Sequence, residues 1–129
     1  MATIKSYTSL EQSKKLAEIL PPESSDMWWR EVSYGFYHIE AEITKGWYDI
    51  PPKGIPCWSL AALLSVLPNE IEIDEQRYCP CLFPVQDKWL LKLWYNSNYT
   101  ITSPIAIFSD NPVDAYVEMI LKLKRNNML

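Results

Sequence analysis

Glycine is scarce in this chain, with three among 129 residues against ten prolines. Turns must therefore rest mostly on proline and asparagine, and little is left for a glycine-rich phosphate cradle. No P-loop, Rossmann fingerprint, Gly-x-Ser-x-Gly or His-Glu-x-x-His occurs. Histidine is scarcer still: His38 stands alone. The three cysteines are an odd count, and MATIKSYTSLEQ has no apolar signal region, which together imply free thiols in a reducing cytoplasm. No apolar run approaches the ~18 residues of a membrane span. Positive charge is also short, at 12 Lys and Arg against 16 Asp and Glu, a formal net charge of −4. That balance argues against nucleic acid, whose phosphates demand a basic surface. The one basic cluster, Lys122, Lys124 and Arg125, ends an expected helix, where cations complement the backbone dipole. No cofactor is implied.

What remains is ordinary globular material with a surplus of aromatics. Hydrophobic residues make up 48% and charged residues 22%, so one domain over residues 1–129 can bury a core. Aromatics reach 13%, including six Trp and eight Tyr, which favours cores with wet edges and interfaces.

Hydrophobic periodicity divides the chain into helices and strands. A first helix is expected over residues 7–20, with Thr8 and Glu11 spaced as a capping box and Pro21-Pro22 as its stop. Residues 23–30 are ambiguous. A strand pattern over 32–43 changes parity midway, which implies a bulge or break near Gly35–His38. Residues 44–56 read as loop, and residues 58–67 as a short helix with Leu60, Leu63, Leu64 and Leu67 on its packing stripe. A short strand follows at 70–74, then an extended, proline-broken stretch over 75–87. Lys88–Tyr95 is the clearest strand, with Trp89, Leu91, Leu93 and Tyr95 on one face. Asn96-Ser97-Asn98 suits a hairpin loop, returning through 99–103 and resuming past Pro104 to Phe108. Asn111-Pro112 opens a last helix. The expected class is α+β, a mainly antiparallel sheet of about four strands with three helices, in the order α-β-α-β-β-β-α.

Three groups of residues invite a chemical reading. Gly54-Ile-Pro-Cys57-Trp58 is similar to the Gly-x-x-Cys-Trp run of papain-like proteases. A helix N-terminus would lower the thiol's pKa, but the only histidine lies upstream where that family places it far downstream. A small buried thiol is the plainer reading of Cys57. Cys79-Pro80-Cys81, with Cys57 and His38, offers zinc a poor ligand spacing, so no metal is assigned. His38, Glu40 and Glu42 share a strand face, the spacing of a ligand set or an acid–base pair, although polar residues on an exposed face need no such role.

Three stretches, YTSLEQSKKLAEILPPESSDM at 7–27, PCWSLAALLSVLP at 56–68 and SDNPVDAYVEMILKL at 109–123, together resemble a group of small uncharacterised proteins from prophages and mobile elements of gut anaerobic bacteria. The resemblance implies a cytoplasmic accessory protein and passes no role to any residue. The expectation is a non-enzymatic binding module for a protein partner or a second copy, with Trp28, Trp29, Trp47 and Trp58 as contact residues. The alternative is a small hydrolase using Cys57 or the His38, Glu40 and Glu42 face.

Overall fold

The computed structural model describes residues 5–41, 54–95 and 105–129. The fold is α+β, with helices and two antiparallel sheets following one another in the expected order. Its contacts gather into two compact units, Ser6–Val66 and Leu67–Leu129, with Lys5 belonging to the second.

The first unit begins with α1, Leu10–Ala17. Its capping box uses Ser9 and Gln12, one residue later than the expected Thr8 and Glu11. Both frames satisfy the Ser/Thr-x-x-Glu/Gln pattern. The choice falls to Ser9 because Thr8 is fully buried and otherwise engaged. Its hydroxyl lies 2.7 Å from Ser13 Oγ and accepts the Trp58 N–H at 3.1 Å, while its own N–H donates to the Trp58 carbonyl at 2.9 Å. A buried polar knot of this kind holds its members only when each is satisfied.

A 3-10 turn at Pro22–Ser24 leads into β1, Met27–Ser33, which pairs antiparallel with β2, Phe36–Ala41. The parity change in the sequence is the trace of this hairpin. Tyr34 and Gly35 turn the chain, and Gly35 takes a φ of +78°, a region closed to most side chains. On the other side of β1 lies β3, Ile55–Cys57, in the order β2-β1-β3. Pro56 is tolerated because β3 is an edge strand. The segment read as loop through residue 56 thus ends in a strand, and its residues 44–53 lie outside the described ones.

Then comes α2, Leu60–Val66. Ser59 caps it, accepting the Ala62 N–H at 3.2 Å, and is itself held by Asp26, whose carboxylate accepts both the Ser59 N–H and hydroxyl. Cys57, Trp58, Ala62 and Leu63 are buried. Leu64, expected on the packing stripe, is instead 49% exposed, since the buried side of this two-turn helix is centred on Ala62 and Leu63.

The second unit holds β4, Ile71–Ile73, β5, Gln76–Val85, β6, Lys88–Tyr95, β7, Ala106–Ser109, and α3, Pro112–Arg125. The four strands pair antiparallel in chain order. Asp74 and Glu75, both at positive φ, turn β4 into β5, and Gln86 does the same between β5 and β6. The expected return strand over 99–103 and its loop at 96–98 lie outside the described residues. The strand resuming past Pro104 is β7.

Strand β5 occupies most of the stretch read as proline-broken. Its prolines fit because of where their missing donors point. Leu93 donates its N–H to the Ile105 carbonyl, away from β5, so the opposed Pro80–Leu93 pair carries no ladder bond between β5 and β6. Pro80, and Pro84 of the same parity, therefore direct their nitrogens to the far side of β5. Strand β4 reaches only Gln76–Tyr78 there, so no ladder bond is lost. Prolines along that open edge also discourage further strands from adding to it.

Helix α3 starts as the sequence indicates. Asn111 Oδ1 accepts the Asp114 N–H at 2.8 Å, Pro112 takes the first turn, and Lys122, Lys124 and Arg125 close the last. Lys5 reaches Asp114 at 2.7 Å. The helix packs on β6 and β7 and buries Val113, Tyr116, Val117, Ile120 and Leu123.

Candidate functional site

Side chains opposed across an antiparallel ladder share a face, so the register sorts the four-stranded sheet into two surfaces. Leu91 opposes Leu82 and Ile107, and Leu93 lies two residues on. Leu91, Leu93 and Ile107 are buried, as the side that α3 covers requires. Leu90 opposes Phe83 and Phe108 on the other face. That second face also holds the pairs Cys81–Lys92, Cys79–Trp94 and Val85–Lys88.

The outer face is unusually apolar for one open to water. Phe108 is 58% and Trp94 40% exposed, Val85 is exposed as well, and Phe83 and Leu90 are half-buried. Phe83, Leu90 and Phe108 form one row across three strands. Lys92 stands beside it, its ammonium 4.2 Å from the Trp94 ring centroid and 5.4 Å from that of Phe83. Such contacts contribute about 0.5–1 kcal/mol each at exposed positions. They hold the lysine flat over the aromatics and keep a positive charge within the patch. At the rim Lys88 pairs with Asp110 at 3.0 Å. An exposed, contiguous apolar patch edged by charge is the physical signature of an interaction surface.

Two cysteines belong to this face. Cys79 and Cys81 point the same way, their sulfurs 3.8 Å apart, and Cys79 Sγ lies 3.7 Å from the Trp94 carbonyl. Burial, then the neighbouring Cys79, pushes the Cys81 thiol up, with Lys92 opposing.

Cys57 is a different case. It is fully buried in β3, and its thiol donates to the Thr8 carbonyl at 3.4 Å with Thr8 Oγ1 at the same distance. Burial pushes its pKa up, against the lowering by hydrogen bonds from Thr8 and Ser13. A nucleophilic thiol requires the reverse. His38 is exposed on β2, opposite Arg30, while Cys57 is opposite Met27. Two strand spacings and three residues separate them, roughly 14 Å between backbones from strand geometry. The structure does not bring this pair together. Glu40 lies two residues beyond His38 on β2, its backbone opposite Trp28, and Glu42 lies outside the described residues.

The tryptophans expected to make contacts occupy varied settings. Trp58 is fully buried, donating its indole N–H to Ser24 Oγ at 2.9 Å. Trp29 is half-buried, edge-on to Tyr7 and bonded to Ser13 Oγ at 3.1 Å. Trp28 is half-buried, and its indole nitrogen has no hydrogen-bond partner among the described residues. Trp47 lies outside the described residues. Exposed aromatics stand instead in two places: Tyr34 and Phe36 at the β1–β2 turn, and Trp94 and Phe108 on the outer face of the four-stranded sheet, where half-buried Phe83 and Leu90 and exposed Val85 join them. A signal for it was present in β6, where Leu90 and Trp94 make the second face apolar beside Leu91 and Leu93. In comparison with known proteins, no family profile, no curated protein and no solved structure matches the chain.

Proposed function

We propose that this protein is a non-enzymatic binding module that engages a protein partner through the outer face of its four-stranded sheet. The observation that carries this reading is the row of half-buried Phe83 and Leu90 and exposed Phe108, extended by exposed Trp94. Covering such a patch removes apolar area from water at about 25 cal/mol per Å². Lys92, held between two rings, gives the surface a chemical preference: its charge is complemented by a carboxylate on the covering segment. Lys88, already paired with Asp110, adds little, so the face lacks the positive charge to neutralise a run of phosphates. Among the described residues, no helix is long and apolar enough to cross a membrane. A cytoplasmic, phage- or mobile-element-associated accessory role belongs to the same proposal and is supported by the sequence resemblance alone. The hydrolase alternative draws no support from the setting of Cys57.

The test is a double variant, Phe108→Asp with Trp94→Lys, compared with the unaltered chain in isolation of its native complex and in sedimentation. The unaltered chain brings down a partner in fixed proportion, and the variant loses it while melting at the same temperature. A variant that retains the complex contradicts the proposal. Self-association of the unaltered chain, abolished in the variant, replaces the partner with a second copy on the same face.

A further inference from the structure

We propose that Cys79 and Cys81 form a two-sulfur site for a soft, monovalent d10 cation of the copper(I) class. The inference stands apart from the docking proposal, since its ligands are the two cysteines and its test is made on the isolated chain.

The strand places the two thiols correctly. Residues two apart on β5 point to the same side, and here their sulfurs lie 3.8 Å apart, near enough to share one ion. Pro80 between them fixes one backbone dihedral and so limits the ways in which the pair can spread. Both side chains are half-buried rather than sealed, so an ion can reach them from solvent.

Ligand chemistry then selects among metals. Thiolates suit soft ions, copper(I) and zinc foremost. Structural zinc asks for four ligands, and no group of three or more His, Cys, Asp and Glu gathers among the described residues. Two sulfurs alone suit an ion content with low coordination. Charge points the same way. Two thiolates on a monovalent cation leave a net charge of −1, and Lys92 stands directly across the ladder from Cys81. In the binding step two S–H bonds lose their protons to solvent and two sulfur–copper bonds form, with no change of oxidation state. Cys57, buried in the other unit against Thr8, takes no part.

The test is an anaerobic titration with copper(I), supplied as its acetonitrile complex, in competition with a bathocuproine chelator. Three forms are compared: the unaltered chain, Cys57→Ser, and the double variant Cys79→Ser with Cys81→Ser. The first two retain one copper per chain against the chelator, and the double variant retains none while its melting temperature stays the same. Lys92→Met weakens retention several-fold without changing the stoichiometry. Copper quenches tryptophan emission, and Trp94→Phe removes most of that quenching while leaving binding intact. Retention of copper by the double variant, or its absence from the Cys57→Ser chain, overturns the proposal.

Discussion

The two faces of strand β6 differ in what covers them more than in what they are made of. Inward, Leu91 and Leu93 are wholly buried, on the side where α3 packs. Outward, Leu90, Lys92 and Trp94 continue a surface on which Phe108 is more than half exposed. Both faces carry large apolar side chains, and within this unit, among the described residues, α3 hides only the inner one. Burial is therefore set by topology rather than by composition: a strand apolar on both sides, with one helix over the sheet, leaves one side to be covered by something else. The cysteines repeat the contrast. Cys57 is sealed within its unit, while Cys79 and Cys81 stand on the open face.

The comparison breaks most readily at the inner face. Leu91→Ala should destabilise the protein by about 2–5 kcal/mol, the range for emptying a buried leucine site. Denaturant unfolding measures this, and a loss below about 1 kcal/mol would mean that the faces are assigned the wrong way round. Asn111→Ala sharpens the account of the cover itself. It removes the cap that starts α3 and should cost about 0.5–2 kcal/mol. If the cap merely decorates the surface, the melting temperature will not move.

The sealed thiol gives a pH signature. Burial holds the Cys57 pKa above the ordinary 9.0 in the folded protein. As pH rises past that ordinary value, the unfolded chain releases a proton that the folded chain keeps, so stability declines with further alkalinity. Cys57→Ala should flatten that decline in melting experiments on the alkaline side, and an unchanged slope would show the thiol to be open to water. The smallest effect is expected on the outer face. Phe108→Ser should change stability by no more than about 0.5 kcal/mol, because little is buried there in the isolated chain.

Much of the architecture was legible in the sequence. The last helix was marked by Asn111-Pro112 and by cations in its closing turn, signals whose mechanism is local. Strand β6 was marked by clean alternation. Three features were not, the first two because a distant contact decided them. Ser9 took the cap from Thr8 because Thr8 was drawn into a knot with Ser13, Cys57 and Trp58. Strand β5 hid behind Pro80 and Pro84, which are harmless only because β4 is too short to face them. The hairpin of β1 and β2 was legible as a parity change, though not as a reversal of the chain. For the candidate site, the residues were visible as aromatics but their exposure was not. Trp58, the most prominent tryptophan in the sequence, is fully buried. Phe108 and Trp94, inconspicuous in sequence, are both exposed.

Hydroxyl-radical footprinting of the isolated chain and of its native complex tests the central claim most directly. The account predicts that Phe83, Trp94 and Phe108 are oxidised in the isolated chain and protected in the complex, while Leu91 and Leu93 stay unreactive in both. Equal oxidation of Trp94 and Phe108 in the two samples would contradict it.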